Sequence, residues 1–317
     1  MFRTTIVIKP YSFRLDYQSN ILTIGSCFSE NMGLKMKNVF FKTEINPFGV
    51  LYNPVSILNS INLLLEIKRF TASDIFEYKS LWHSFAHSSL FSDVSSEACL
   101  SKMNERIASA SEFIKNTDVL LITFGTAWVF TDKESGRVVS NCHKLPSDKF
   151  NRRRLTVDEI TEGYSDLLTK LKALYPNLNV VFSVSPIRHW KDGAHENTIS
   201  KSTLLLAVDA LQNQFDNVHY FPAYELLMDE LRDYRFYASD MLHPSDVAVE
   251  YIWTKFSASV FSDETLQLKK KLEQLAADSA HRPLHPSSPE YVLFRENAEK
   301  RKNEILQKYP FLADRIK

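Results

Sequence analysis

The sequence predicts an α/β fold in which a parallel sheet is covered by helices on both faces. Three observations lead there. Short apolar runs, ILTIG (21–25), VLLITFG (119–125), NVVFSVSP (179–186) and VHYFPAYE (218–225), have the length and unbroken hydrophobicity of strands buried on two sides. Long helical patterns, EITEGYSDLLTKLKALY and STLLLAVDALQNQF, separate the last three, and that order implies parallel pairing. Gly25 and Gly125 end two of the strands in a chain with only seven glycines. The carboxyl edge of an open parallel sheet is where ligands bind.

The elements follow in order. After the first strand, SENMGLKMKNVF has helix character with Met32, Met36 and Phe40 on one face. Residues 66–115 are too long for a simple crossover. Within them SLWHSFAHSSLFSD, rich in Ser, His and aromatics, is expected to form a lip over the sheet edge. WVFTDKESGRVVSN reads as a hairpin about the turn Lys133-Glu134-Ser135-Gly136. The composition shifts after about Ser262. The main domain is therefore placed at 1–262, and 263–317 is a charged helical extension, expected to dock through Tyr291 and Phe294.

With 317 residues, 44% of them hydrophobic, the chain can build an ample core, and its formal net charge of zero gives no reason to expect a nucleic-acid partner. No apolar run is long enough to span a bilayer. MFRTTIVIKPYSF has no signal-peptide core or cleavage site, so a cytoplasmic location is expected. Cys27, Cys99 and Cys142 are scattered with no CxxC pair, which argues against a metal site. The first turn holds neither GxGxxG nor a Walker lysine, so nucleotide binding is not expected. No cofactor is implied.

The chemistry begins at TIGSCFSENMG. A hydroxyl just past a strand, at a helix N-terminus, meets exposed backbone N–H groups and the positive end of the helix dipole. An oxyanion formed beside it is stabilised there. Ser26 stands at that point. A plain helix cap would also place a serine here. The second feature is YASDMLHPSD. Asp240 and His243 are three apart, followed by a helix start at Pro244-Ser245-Asp246. An Asp-x-x-His turn lets the carboxylate fix the imidazole tautomer, freeing Nε2 to take a proton from a serine. Cys27, one residue further into the turn than Ser26, is expected to point into the packing between helix and sheet.

At these residues the chain resembles the SGNH (GDSL-type) hydrolase superfamily, with G-S-C-F in place of the usual G-D-S, and within it the GSCFA family. The resemblance covers about residues 12–262. It implies a flavodoxin-like, three-layer α/β/α fold and carboxylic-ester chemistry. By carry-over Ser26 is the nucleophile, His243 the general base and Asp240 its orienter. The superfamily's oxyanion donors are the nucleophile's own N–H, a glycine N–H after the second strand and an asparagine after the third. Gly49, in INPFGVLYNP, matches the glycine. ITFGTAW has no asparagine, so Thr126 is one substitute. Asn141 is the other, because the hairpin returns it beside Trp128; a turn-forming role would equally explain it.

Arg188 and His189, in SPIRHWKDGAHEN, resemble a family segment at the same sheet edge. They are candidates to grip an anionic or polar group, although Arg188 can equally pair with Asp192. His83 and His87 in the lip are candidate substrate-wall residues; His219, His281 and His285 read as structural. The function expected is a serine esterase working through an acyl-enzyme on a small-molecule or glycan ester, with an O-acetyl ester as the first candidate. Acyl transfer with the same triad, or a non-catalytic carbohydrate- or ligand-binding domain, are the alternatives.

Overall fold

The structure, a computed structural model, describes residues 4–316. Strand β1 (Asn20–Gly25) leads through helix α1 (Cys27–Asn38) to β2 (Lys42–Ile45). Helix α2 (Pro54–Leu65), the small hairpin β3 (Phe76–Tyr78) and β4 (Leu81–His83), and α3 (Ser96–Ile114) precede β5 (Val119–Phe124). Next come β6 (Trp128–Asp132), β7 (Val138–Val139), β8 (Phe150–Arg154) and α4 (Val157–Leu174). Then follow β9 (Asn179–Val184), α5 (Ala194–Gln214), β10 (Val218–Phe221) and the short α6 (Ala223–Glu225). The chain closes with α7 (Asp246–Val260), α8 (Asp263–Ala280) and α9 (Pro289–Lys308).

Five strands form one parallel sheet in the order β2-β1-β5-β9-β10. The side-chain period of two splits each central strand between two cores. Leu22, Ile24, Leu120 and Ile122 face one side with α2, α3, α4 and α5. Ile21, Val119 and Leu121 face the other with α1, α7, α8 and α9. The result is the expected three-layer α/β/α fold, and complete burial of both faces is why these strands read as continuous apolar runs. The chain leaves β1 toward β2 and later returns to β5 on the other side. The carboxyl ends of β1 and β5 therefore form a topological switch point, where such sheets place ligands.

Four strands went unread in the sequence: the small hairpin β3–β4 within the lip, and β2 and β8. β2 is the sheet edge, carries Lys and Glu, and buries only part of its length. β8 carries FNRRR and pairs antiparallel with β6, so the expected hairpin is a three-strand unit of order β7-β6-β8. The hairpin itself forms, with Phe130 opposite Val139 and Thr131 opposite Val138.

The C-terminal helices join the core through Leu268, Leu272, Leu275 and Ile305, packed in one cluster with Tyr17, Trp253 and Phe261. Arg315 adds hydrogen bonds to the carbonyls of Tyr17 and Phe40 at 2.6 and 3.1 Å. Tyr291 and Phe294 do not make this contact; they stack with His281 at the α8–α9 turn. Among the described residues no helix is long and apolar enough to cross a membrane.

Candidate active site

The opening motif has a steric cause. Gly25 has φ +145°, and a Cβ on it would lie 2.3 Å from the carbonyl oxygen of Thr123 on β5. Only glycine fits where β1 turns this tightly beside its neighbour. Ser26 follows in extended conformation as the N-cap of α1, its Oγ accepting from Phe28 N–H at 3.3 Å. Its own N–H donates to Thr123 O at 3.2 Å. Ser26 is buried, and no hydrogen bond joins it to His243 among the described residues.

The Asp-x-x-His turn forms as its spacing predicts. Asp240 Oδ2 lies 2.5 Å from His243 Nδ1, and Oδ1 accepts the backbone N–H groups of Leu242 and His243, both at 2.9 Å. The His243 N–H first, then the Leu242 N–H and the imidazole, hold the Asp240 carboxyl down to about 2. Met241 takes φ +60° to close the turn. Ser245 then caps α7, accepting from Ala248 N–H at 3.4 Å. With Nδ1 bonded to Asp240, Nε2 is the nitrogen left for other work.

One cleft of about 580 Å³ brings the ends of these elements together. Ser26, Cys27, Thr126, Asn141, Arg188, His189 and His243 all line it. Cys27 thus opens onto the cleft instead of into the helix–sheet packing. Burial pushes its thiol up, and burial pushes that of Cys142, also in the cleft, to about 11. Neither is a ready thiolate at neutral pH.

Asn141 Oδ1 accepts the N–H of His143 at 2.8 Å, which leaves the amide NH₂ as its donor end. Thr126 is already engaged: its Oγ1 lies 3.2 Å from Ser200 Oγ and accepts the N–H of Trp128. Burial lowers His189 to about 4, keeping it neutral, and its ring sits edge-on to Tyr52. Arg188 is not the partner of Asp192, which pairs with Arg152. Its guanidinium is held by Asn197 Oδ1 and Thr198 Oγ1 on α5, at 3.3 and 2.6 Å.

Three candidates lie elsewhere. Gly49 does not line the cleft; its N–H closes a turn onto Asn46 O at 2.7 Å, and its φ of +74° and contact with Ser88 explain why it is glycine. His83 is buried between Ser92 Oγ at 2.7 Å and Tyr78 O at 3.1 Å. His87 is fully buried among Phe48, Phe70 and Phe91, which lowers it to about 3. Both shape the lip, and neither reaches the cleft.

Sequence reasoning missed the rim and the floor. On the rim, the Arg152 guanidinium from β8 stacks over Trp128 at 4.1 Å while it pairs with Asp192. The signal was present only as alternating residues in an unread strand. Beneath the floor, Lys201 of α5 is 1% exposed and donates to the carbonyls of Gly125 and Ser185, each at 2.7 Å. It ties together the ends of β5 and β9, from which Thr126 and Ser185 enter the cleft.

No curated protein matches this sequence. Among solved structures, the chain is similar to the acetyl xylan esterase Est2A of the rumen bacterium Butyrivibrio proteoclasticus, at 12% identity and a TM-score of 0.39, over 76% of this chain and 63% of that one. It is also similar to a carbohydrate esterase family 3 protein from Talaromyces cellulolyticus, at 12% identity and a TM-score of 0.33, over 80% and 98% of the two chains. The model of the GSCFA family matches residues 20–256. That span runs from β1 into α7 and takes in Ser26, Asp240 and His243, and the chain belongs to the GSCFA family.

Proposed function

We propose that this protein is a serine esterase that cleaves a carboxylic ester through an acyl-enzyme. The carrying observation is that Ser26 and an Asp240-oriented His243 line one cleft at the switch point of the sheet. Ser26 Oγ attacks the ester carbonyl while His243 Nε2 takes its proton, and the imidazolium formed is stabilised by Asp240. Returning that proton to the leaving alcohol gives the acyl-serine. Water, activated by the same imidazole, then releases the acid. The side chains of His243 and Asp240 are 53% and 46% exposed, so water reaches the base freely. That openness favours hydrolysis over transfer to a second alcohol. Labelling with a fluorophosphonate and mapping the modified peptide tests the reading: label on Ser26 supports it, and no label on an intact fold rejects it.

The oxyanion donors are proposed to differ from the superfamily set. The N–H groups of Ser26 and Gly49 are both committed to backbone carbonyls. The amide NH₂ of Asn141 and the positive end of α1 are the donors this arrangement offers. Asn141→Ala should therefore lower kcat roughly a hundredfold, on the order of 3 kcal/mol, with little change in KM. Thr126→Val should cost far less, since its hydroxyl serves Ser200 and Trp128. Equal effects of the two variants on kcat would reject Asn141.

The pH profile separates the bases. Asp240 at about 2 and His189 at about 4 lie too low to set an acid limb near neutrality. Lys201 is the group to separate from the proposed base, since burial lowers it to about 7. The expected result is that kcat/KM has an acid limb, because the general base must be neutral to act, and that this limb persists in Lys201→Met. Asp240→Asn should lose on the order of 10³–10⁴-fold in kcat with its fold unchanged, through loss of tautomer control. A limb that vanishes with Lys201 would move the assignment away from His243.

A further inference from the structure

A second hollow of about 320 Å³ lies on the far side of the Asp240–His243 turn. It shares Arg188, Trp190 and Leu242 with the cleft, so the two adjoin. Tyr234, Tyr237, Arg232, Asp233, Met228 and Met241 complete its lining. A single π turn, Leu226–Glu230, brings the chain to this surface, and such turns recur at functional sites.

Two features of this surface point to one kind of ligand. The first is exposed aromatic area. Trp190 is 54% and Tyr234 74% exposed, and the Tyr234 and Tyr237 rings lie 5.8 Å apart. Aromatic faces left in water beside a cleft offer a platform for flat apolar surfaces such as sugar-ring faces. The second is uncompensated positive charge. Arg188 is held by an amide and a hydroxyl, not by a carboxylate. Arg232 has no ion-pair partner among the described residues, and Asp233 beside it faces Arg235 at 3.6 Å. In the cleft Asp192 is taken by Arg152, and Lys191 adds a further cation. The chain as a whole has zero formal net charge, so this surplus is local.

We propose that the hollow is a second substrate subsite that binds a carboxylate-bearing sugar, so that the ester cleaved at Ser26 is carried by an acidic oligosaccharide. This rests on the esterase reading and names the substrate class for it. The ring of the acidic sugar lies on Trp190 or Tyr234, and its carboxylate meets the Arg188 and Arg232 guanidiniums, whose planar forks match a carboxylate's two oxygens. An ester group in the cleft and a sugar in the hollow are then joined past Leu242, beside the base.

The test is equilibrium binding to the full chain bearing Ser26→Ala, so that no turnover occurs. Oligogalacturonate should bind at least roughly tenfold tighter than a neutral xylo-oligosaccharide of equal length, a preference that salt weakens. Arg232→Gln should remove most of that preference, and Arg232→Glu should reverse it. Equal affinity for the two oligosaccharides, no binding of either, or an unchanged preference in Arg232→Glu overturns the subsite. Fluorophosphonate labelling of the unmutated protein is run in parallel. Label on Ser26 without selective binding removes the subsite alone, and selective binding without label removes the esterase reading alone.

Discussion

Ser26→Ala is expected to abolish ester cleavage, with a loss on the order of 10⁴–10⁶ in kcat, the range seen when a serine nucleophile is deleted. The fold should survive. Ser26 Oγ makes a single long capping bond, 3.3 Å to Phe28 N–H, and losing such a cap costs roughly 1 kcal/mol. A thermal melt should therefore fall by a few degrees while hydrolysis of a chromogenic acetate ester disappears. Cys27→Ala is the necessary companion, because Cys27 shares the cleft. Its thiol is held protonated by burial, so its removal should leave most activity. An inactive Cys27→Ala beside an active Ser26→Ala would reverse the assignment.

What the sequence could reveal follows from which interactions are local. β1, β5 and β9 were readable because a strand buried on both faces must be apolar throughout. β2 and β8 were not, since an edge strand and an exposed antiparallel strand carry charges that resemble loop composition. The Asp240–His243 pair was readable because three residues of spacing fix its geometry within one turn. Ser26 was readable because a glycine, a cap and a strand end coincide.

Direction was harder than identity. His83 and His87 have the residue types of a site, but no local pattern says that one faces Ser92 and the other three phenylalanines. Gly49 matched a family position, yet its backbone is turned toward Ser88 and Asn46. Cys27 was expected to diverge from Ser26 into the core, but the first turn of a helix at a sheet edge leaves both side chains facing the opening. Arg152, Trp128 and Asp192 come from β8, β6 and the segment after β9, a meeting that only the tertiary fold creates.

Lys201→Met should change how stability responds to pH. The Lys201 amine is fully enclosed, and two carbonyl oxygens accept from it. Two acceptors match the two N–H bonds of a neutral amine, whereas an ammonium brings a third donor. Cys27 on α1 and Arg188 after β9 act on it through charge, and the Tyr224 ring of α6 lies 5.7 Å away. Burial pushes the amine down from 10.5 to about 7; Cys27 opposes it, and Arg188 adds a smaller push in the same direction as burial. Between those values the unfolded chain binds more protons than the fold. Stability from this group therefore rises with pH across that window, by up to about 1.4 kcal/mol per unit, and is lost as pH falls through about 7. Methionine fills similar space without the titration, but it leaves the Gly125 and Ser185 carbonyls without a donor, at about 1–3 kcal/mol each. At pH 9 the variant should be clearly less stable than the parent. The gap should then narrow steadily toward pH 7, as the parent takes up a proton that it buries badly. Urea unfolding of both proteins at pH 7, 8 and 9 measures that gap, and the cysteines and tyrosines that also titrate at the upper end are common to both and cancel. Parallel stability curves would mean that Lys201 keeps its proton in the fold, and that the floor of the cleft carries a permanent positive charge below Ser26.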